Sequence, residues 1–125
     1  MLVSKMLPNF MDQRGEITDI IDGIDVNSIT LITSKKGSVR GNHFHKLTTQ
    51  YVFLIEGKLE YYSQKDEQRI EKNILDKGDF VETPENVKHA FKALEDSVFI
   101  ACCRGLRAGK QYEDDTYRLD KPIAI

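Results

Sequence analysis

The chain contains three histidines, and their spacing allows all three to share one site. His43 and His45 are two residues apart, so on a β-strand their side chains point to one face while that of Phe44 points to the other. His89 lies in a later segment, which a barrel built from short strands would bring against that pair. Three imidazoles on one inner wall could bind a metal ion or transfer protons.

A metal site is the first possibility. Neutral imidazole nitrogens bind divalent ions, and the natural fourth ligand is Gln50, five residues after His45. Glutamine carries no charge and is a weaker ligand than a carboxylate. We therefore expect weak, partial occupancy by an imidazole-preferring ion such as zinc or nickel, held by His43, His45, Gln50 and His89.

Acid–base catalysis is the second possibility and requires no metal. The pKa of a free imidazole is about 6.5, which suits proton transfer near neutral pH. His43 and His45 are therefore candidate catalytic residues that would remove a proton next to a sugar ketone. The alternative is that they are buried, hydrogen-bonded core residues, which a lone histidine would favour and three at this spacing do not.

Two arginines near these segments are candidates for binding a substrate phosphate, together with Gln50. Arg40 precedes His43 by three residues, and Arg14 lies in the stretch Asp12-Gln-Arg-Gly15. A guanidinium matches the geometry of a phosphate with two parallel hydrogen bonds. Each arginine alone could equally be a surface residue in a solvated ion pair.

Size and composition indicate one globular domain over residues 1–125. The chain is 40% hydrophobic and 30% charged, with a net charge of −2 and no basic block, which argues against nucleic-acid binding. No apolar run approaches the roughly 20 residues of a membrane helix, and no signal peptide is evident, so we expect a cytoplasmic protein. Cys102 and Cys103 are adjacent, which disfavours a disulfide between them and favours small buried side chains.

The pattern of short apolar and β-branched segments predicts an all-β fold with little helix, a small barrel of two antiparallel sheets. A hairpin through Glu56-Gly57 is expected, and Ser63 to Gln68 reads as a loop. The tail from Gly105 to Ile125 is expected to wrap the barrel. The predicted strands are Gly15–Ile21 (an edge strand), Ser28–Thr33, Tyr51–Ile55, Lys58–Tyr62, Arg69–Leu75 and Ser97–Cys103.

The N-terminal segment predicts a homodimer. A small open sheet leaves edge strands exposed, and pairing with a second copy would hide them. Residues Met1 to Leu7 contain several apolar side chains ahead of the barrel. We expect this segment to form a strand that adds to the partner's sheet.

Two segments of the chain resemble the paired motifs of the cupin superfamily. The first contains Gly37, His43, His45 and Gly57, and the second contains Gly78, Pro84, Asn86 and His89. Gln50 stands where many cupins carry a glutamate, and Asn86 where a glycine is more common. The resemblance implies a jelly-roll β-barrel with the histidines on its inner wall.

A narrower resemblance is to cupins that modify nucleotide-linked sugars in polysaccharide biosynthesis. The stretch Arg40-Gly-Asn-His43-Phe-His45-Lys46, with Gln50, is similar to the dTDP-sugar 3,4-ketoisomerases, in which the histidine pair transfers protons on a 4-keto-6-deoxy sugar without a metal. The same Gly-Asn-His-Phe-His stretch and Asp115-Thr-Tyr117 resemble the cupin domain of the capsule-sugar reductase/epimerases, whose histidines hold zinc. The ketoisomerases also carry a tyrosine where this chain has Ile29-Thr-Leu31.

Two function classes follow from these residues. The first is an isomerase or epimerase that acts on a nucleotide-linked 4-keto-6-deoxy sugar through His43 and His45. The second is a non-catalytic or metal-binding cupin that binds a carbohydrate or another small polar ligand. Both predict a small-molecule partner, and neither predicts a membrane or a nucleic acid.

Overall fold

β-Strands dominate the computed structural model, which describes residues 2–105 and 113–125. The all-β prediction is confirmed, since the strands form two five-stranded antiparallel sheets and a separate two-stranded one. The strands are Val3–Lys5 (β1), Phe10–Asp12 (β2), Gly15–Ile17 (β3), Ser28–Ser34 (β4), Val39–Phe44 (β5), Thr49–Glu56 (β6), Lys58–Lys65 (β7), Glu71–Asp76 (β8), Asp79–Thr83 (β9), Val87–Ala93 (β10), Ser97–Arg104 (β11) and Tyr117–Arg118 (β12).

The two five-stranded sheets enclose one hydrophobic core. The first sheet has the order β1-β9-β6-β11-β4, and the second has the order β12-β5-β10-β7-β8. Each strand contributes every second side chain to this core. On β7, for example, Leu59, Tyr61 and Ser63 are buried, while the residues between them are more exposed. The buried hydrophobic cluster draws on both sheets and consists of Val52, Leu54, Leu59, Tyr61, Leu75, Val81, Phe91, Ala93, Phe99 and Ala101.

The predicted hairpin through Gly57 is wrong. β6 pairs with β9 and β11, whereas β7 pairs with β10 and β8, so the chain crosses from the first sheet to the second at this turn. Gly57 has a φ of +101°, and a Cβ there would collide with the Oγ of Ser97 and the carbonyl of Asp96. A glycine turn of this kind allows a change of sheet as readily as a hairpin. The loop predicted from Ser63 also begins later, because β7 continues to Lys65.

The edge strand predicted for Gly15–Ile21 is shorter than expected and does not belong to either large sheet. It ends at Ile17 and pairs with Phe10–Asp12 in a hairpin outside both large sheets. The next residues turn away, with the backbone N–H of Asp19 donating to the side-chain oxygen of Asn9 at 2.6 Å. This hairpin leaves the side chains of Phe10, Met11 and Ile17 more than half exposed.

Both ends of the chain add strands to the large sheets. The N-terminal segment forms the predicted strand, Val3–Lys5, but this strand pairs with β9 of the same chain at the edge of the first sheet. Its pairing with a partner's sheet stays a prediction. Part of the tail, expected to wrap the barrel, forms β12 beside β5 instead. Asn42 holds the residues that follow, because its backbone carbonyl accepts from Leu119 N and its side-chain oxygen from Ile123 N and Ala124 N.

Cys102 and Cys103 are both buried and both free, as their adjacency predicted. In the described part of the chain, no helix is long and apolar enough to cross a membrane.

Candidate functional site

The structure brings the three histidines together at one end of the barrel. His43 on β5 lies directly opposite His89 on β10, and His45 follows the last residue of β5. The ring centroids are 4.8 Å apart for His43 and His45, 4.7 Å for His43 and His89, and 5.3 Å for His45 and His89. One nitrogen from each ring lies within 4.8 Å of the others, which makes the group a geometric candidate for metal binding.

Backbone carbonyls orient two of these rings. Nδ1 of His45 lies 3.1 Å from the carbonyl oxygen of Asp115, and Nδ1 of His89 lies 3.0 Å from that of Val87. A carbonyl oxygen can only accept, so Nδ1 carries the proton in both neutral rings and Nε2 carries the lone pair. Orientation of an imidazole through its second nitrogen is the arrangement that both metal ligands and catalytic bases use.

Asp115 also holds the turn that follows His45. Its carboxylate accepts from the backbone N–H of Lys46 at 3.1 Å, from that of Leu47 at 3.0 Å and from the hydroxyl of Thr48 at 2.8 Å. Asp115 is only 2% exposed, so these bonds are shielded from water. A single residue of the tail therefore fixes both the ring of His45 and the chain beyond it.

Burial keeps the histidines neutral. It is the main cause that lowers the pKa of His43 to about 3, with further lowering by the charges of His89, His45 and Arg118. Burial likewise lowers the pKa of His89 to about 4. Burial also lowers the pKa of His45, but the hydrogen bond to Asp115 and the charges of Asp115 and Glu113 oppose it. His45 is thus the ring whose protonated form the surroundings support best.

Gln50 faces the interior from the opposite sheet. It lies on the same face of β6 as the core residues Val52 and Leu54, and it is 7% exposed. Within residues 2–105 and 113–125, its side-chain oxygen makes no hydrogen bond, and neither does Nδ1 of His43 nor Nε2 of His89, although all three atoms are buried. Buried polar atoms without partners are costly unless a ligand, an ion or water satisfies them. Lone pairs on neutral imidazoles fit a zinc or nickel ion, so the donor set is suited to such a metal.

The structure does not bring Arg14 or Arg40 into contact with the histidines. Arg14 lies in the β2–β3 turn, where its Nη2 is 2.7 Å and its Nε 3.0 Å from a carboxylate oxygen of Asp12. Arg40 donates from Nε to the hydroxyl of Ser34 at 2.8 Å and from Nη2 to the carbonyl of Thr33 at 2.9 Å. Arg40 thus links β5 of the second sheet to β4 of the first.

Arg118 is a charged residue that the sequence interpretation missed. It lies directly opposite His43 in the pairing of β12 with β5, and its Nη2 is 3.1 Å from a carboxylate oxygen of Glu113. It immediately follows the motif Asp115-Thr-Tyr117 in the sequence. Nothing in the local sequence indicates that this stretch pairs with the strand carrying His43.

A groove of about 1210 Å³ opens at the same end of the barrel. Its lining includes Ser63, the cross-strand neighbour of His89, and Val87, whose carbonyl orients the His89 ring. The three imidazoles are not part of that lining in the described residues. The groove therefore adjoins the histidine cluster without containing it.

Comparisons with solved structures confirm the kind of relative that the motifs predicted. CapF, crystallised with the inhibitor 3-isopropenyl-tropolone, is 25% identical with a TM-score of 0.68 over 93% of this chain and 34% of its own. The dTDP-4-dehydrorhamnose 3,5-epimerase from Sulfolobus tokodaii is 20% identical, with a TM-score of 0.76 over 98% of this chain and 81% of its own. The sugar 3,4-ketoisomerase QdtA from Thermoanaerobacterium thermosaccharolyticum, in complex with TDP, is 18% identical, with a TM-score of 0.77 over 94% and 87%.

The chain spans about a third of the length of CapF. No curated protein sequence matches it. Residues 10–117, however, match the model of a family described as the polysaccharide biosynthesis C-terminal domain. Since that match takes in both histidine segments and most of the chain, the protein belongs to the polysaccharide biosynthesis C-terminal domain family.

Proposed function

We propose that the protein acts on a nucleotide-linked 4-keto-6-deoxy sugar, as a 3,4-ketoisomerase or an epimerase that transfers a proton next to the ketone. The observation that carries the proposal is the cluster of three neutral imidazoles in which Asp115 orients His45. A neutral, oriented imidazole is a suitable base for a carbon acid activated by a neighbouring carbonyl.

His45 is the residue best suited to accept the proton. Its Nδ1–H donates to the carbonyl of Asp115, so Nε2 carries the lone pair and is the basic nitrogen of the ring. The charges of Asp115 and Glu113 favour the imidazolium that forms. The resulting enediol is then reprotonated by an acid that exchanges protons with water.

His43 and His89 would remain neutral during this step. Their pKa values of about 3 and about 4 make them poor proton acceptors at pH 7. In this proposal they lie beside His45 and accept hydrogen bonds from sugar hydroxyls. His43 is the more exposed of the two.

The neighbouring structures support this choice of substrate. A variant of the 3,4-ketoisomerase QdtA, 18% identical with a TM-score of 0.76 over 94% of this chain, was crystallised with TDP-4-keto-6-deoxyglucose. A 3′-monoepimerase from Streptomyces bikiniensis with the same fold, 15% identical with a TM-score of 0.78, was crystallised with dTDP. The fold is therefore one that accommodates nucleotide-linked sugars and their nucleotides.

A divalent metal is compatible with the site, and His43, His45 and His89 would hold it together with Gln50. When bound, it would supply Lewis-acid polarisation of a ligand oxygen. The same donor set favours a second candidate function, a non-catalytic or metal-binding protein that binds a carbohydrate or other small polar ligand. The observation in favour is that two buried ring nitrogens, Nδ1 of His43 and Nε2 of His89, have no hydrogen-bond partner among the described residues.

Hydrogen exchange at C3 of the sugar distinguishes the two functions. The protein is incubated in heavy water with dTDP-4-keto-6-deoxyglucose, and the C3 proton is followed by NMR, with the UDP and GDP sugars in parallel. The proposal predicts loss of the C3 signal faster than in an enzyme-free sample. Absence of deuterium uptake with all three nucleotides would exclude proton transfer on these sugars and favour the binding protein.

A further inference from the structure

We propose that Arg118 binds the diphosphate group of the nucleotide-linked substrate. This inference rests on the proposed function and names the part of the site that would recognise the nucleotide half of the substrate. Neither the spacing of the motifs nor the comparisons assign a role to this residue.

Strand register places Arg118 beside the histidines. Directly opposite residues on neighbouring strands project from the same face, and Arg118 is opposite His43. The neighbouring pair of residues, Tyr117 and Phe44, identifies the other face of the sheet. These two residues are directly opposite each other, and their rings stack with centroids 5.3 Å apart. Because Phe44 points away from the side of His43, Arg118 shares the face of the cluster. The charge of Arg118 also reaches His43, whose pKa it lowers.

The depth of Arg118 suits a phosphate rather than the reacting carbon. Its side chain is 65% exposed, whereas His45 and His89 are 2% and 1% exposed. Arg118 therefore lies at the rim of a site whose reactive nitrogens lie deeper. In a nucleotide-linked sugar the diphosphate is attached at C1, two ring bonds from C3. A sugar ring placed with C3 at the histidines would hold its diphosphate toward this rim.

The guanidinium of Arg118 retains donors for a ligand. Its hydrogen bonds within the described residues run from Nη2 to the two carboxylate oxygens of Glu113, at 3.1 and 3.4 Å. This ion pair is exposed on both sides and contributes little to stability. Arg14 and Arg40, in contrast, both use Nε and Nη2 within the protein. Nε and Nη1 of Arg118 therefore make no hydrogen bond within the described residues and can donate to a phosphate.

Glu113 would compete with the substrate for Arg118. Its carboxylate occupies the same guanidinium and repels an approaching phosphate. Two substitutions should therefore have opposite effects on the affinity for a nucleoside diphosphate. Arg118→Gln should weaken it, and Glu113→Gln should strengthen it. A residue that merely supports the fold would not produce changes of opposite sign.

The test measures binding of dTDP, UDP and GDP by isothermal titration calorimetry and continues with the one that the wild type binds most tightly. Arg118→Gln is expected to lower the affinity about 10- to 100-fold, the range for loss of charge-assisted hydrogen bonds. Glu113→Gln is expected to raise it a few-fold, and Arg118→Lys to give an intermediate value. Lys58→Gln is the matched control, because it removes a positive charge from β7 of the same sheet, where Lys58 pairs with Asp76 and does not line the groove. The nucleoside without phosphates should bind Arg118→Gln as it binds the wild type.

Several results would overturn the inference: wild-type affinity in Arg118→Gln, equal losses for the nucleoside and its diphosphate, or no binding of any diphosphate by the wild type. If Arg118→Gln does not fold, as judged by circular dichroism, the test uses the other two variants. Arg118→Lys should then lower the affinity for the diphosphate, and Glu113→Gln should raise it. The reaction is tested separately by exchange at C3. Diphosphate binding that depends on Arg118, without exchange at C3, would support this inference and contradict the proposed reaction.

Discussion

The backbone carbonyl of Asp115 lies 3.1 Å from Nδ1 of His45, a residue 70 positions earlier in the chain. The carboxylate of the same aspartate holds the turn that begins at Lys46. One residue near the end of the chain thus sets both the tautomer of a candidate catalytic base and the path of the backbone beside it. Asp115 therefore contributes to the stability of the fold through its carboxylate and to the proposed activity through its carbonyl, and substitutions can separate the two contributions.

Replacing Asp115 should destabilise the protein more than removing any one of its partners. Asp115→Ala leaves two backbone N–H groups and the Thr48 hydroxyl without their acceptor, and we expect the free energy of unfolding to fall by about 3–5 kcal/mol. Thr48→Val removes one of these bonds and should cost about 1 kcal/mol. Urea unfolding followed by circular dichroism measures both. Equal, small losses for the two variants would contradict the role assigned to the carboxylate.

His45→Asn should abolish most of the catalysis while leaving the fold intact. General acid–base catalysis contributes about 10²- to 10⁴-fold, so the rate of C3 exchange should fall by that factor. His89→Asn is the comparison, since burial lowers the pKa of His89 to about 4 and makes it a weak base, so its loss should act mainly on substrate affinity. NMR exchange rates at several substrate concentrations separate the two effects. A larger loss of the limiting rate in His89→Asn than in His45→Asn would reverse the assignment.

The period of a β-strand and the second motif together predicted the histidine cluster. His43 and His45 share a face because they are two residues apart, and the second motif supplied His89 on the neighbouring strand. The same local reasoning failed at Gly57. A glycine turn indicates where a strand ends, but the pairing partners of the flanking strands depend on how two sheets share a core.

The contacts made by the tail could not be predicted either, because they also depend on residues far away in the sequence. β12 contains only Tyr117 and Arg118, too short for a periodic pattern, and its pairing with β5 depends on residues about 75 positions away. The motif at Asp115 was visible in the sequence. That its carbonyl, rather than its carboxylate, meets His45 is a property of the folded backbone. Arg118 was missed because its proximity to His43 arises only from this pairing.

Acid should destabilise the metal-free protein, starting near pH 6.5. The pKa of His43 is about 3 and that of His89 about 4 in the folded protein, whereas both approach the ordinary value of about 6.5 when the chain unfolds. The unfolded chain therefore binds more protons below pH 6.5. The stability is fully present above that value and declines toward pH 4, by up to about 1.4 kcal/mol per pH unit for each ring. Urea unfolding at pH 7.5, 6 and 5 with a chelator present measures this slope.

His89→Gln is the control for the acid effect, because it removes one of the two rings and should make the decline shallower. Stability that rises between pH 6.5 and pH 5 would show that the histidines are not neutral and buried as described. Retention of the full slope in His89→Gln would show that other groups dominate the acid response.

The protein is expected to be a homodimer. The β2–β3 hairpin exposes Met11 and Ile17, which are 65% and 59% exposed, and a two-stranded hairpin is marginal in water by itself. Packing this hairpin and the segment before it against a second copy would cover these side chains. Met11→Lys with Ile17→Lys should convert the dimer to a monomer. Ile74→Lys, on β8, should not. Light scattering at micromolar concentration measures the mass of the particle in solution. A monomer mass for the wild type would exclude the dimer.

The neutral side chain of Gln50 should limit the affinity for metal. Three imidazoles and an amide oxygen provide no negative charge, so we expect zinc or nickel at less than one ion per chain in protein purified without a polyhistidine tag. Gln50→Glu adds a carboxylate at this buried position of β6, and we expect the variant to bind zinc more tightly and closer to one ion per chain. His89→Gln should lower the occupancy, because it removes an imidazole whose Nε2 lone pair has no hydrogen-bond partner within the described residues. Elemental analysis after dialysis against a chelator measures all three proteins. Full occupancy that survives in the wild type, with no gain in Gln50→Glu, would show that the amide oxygen serves as well as a carboxylate.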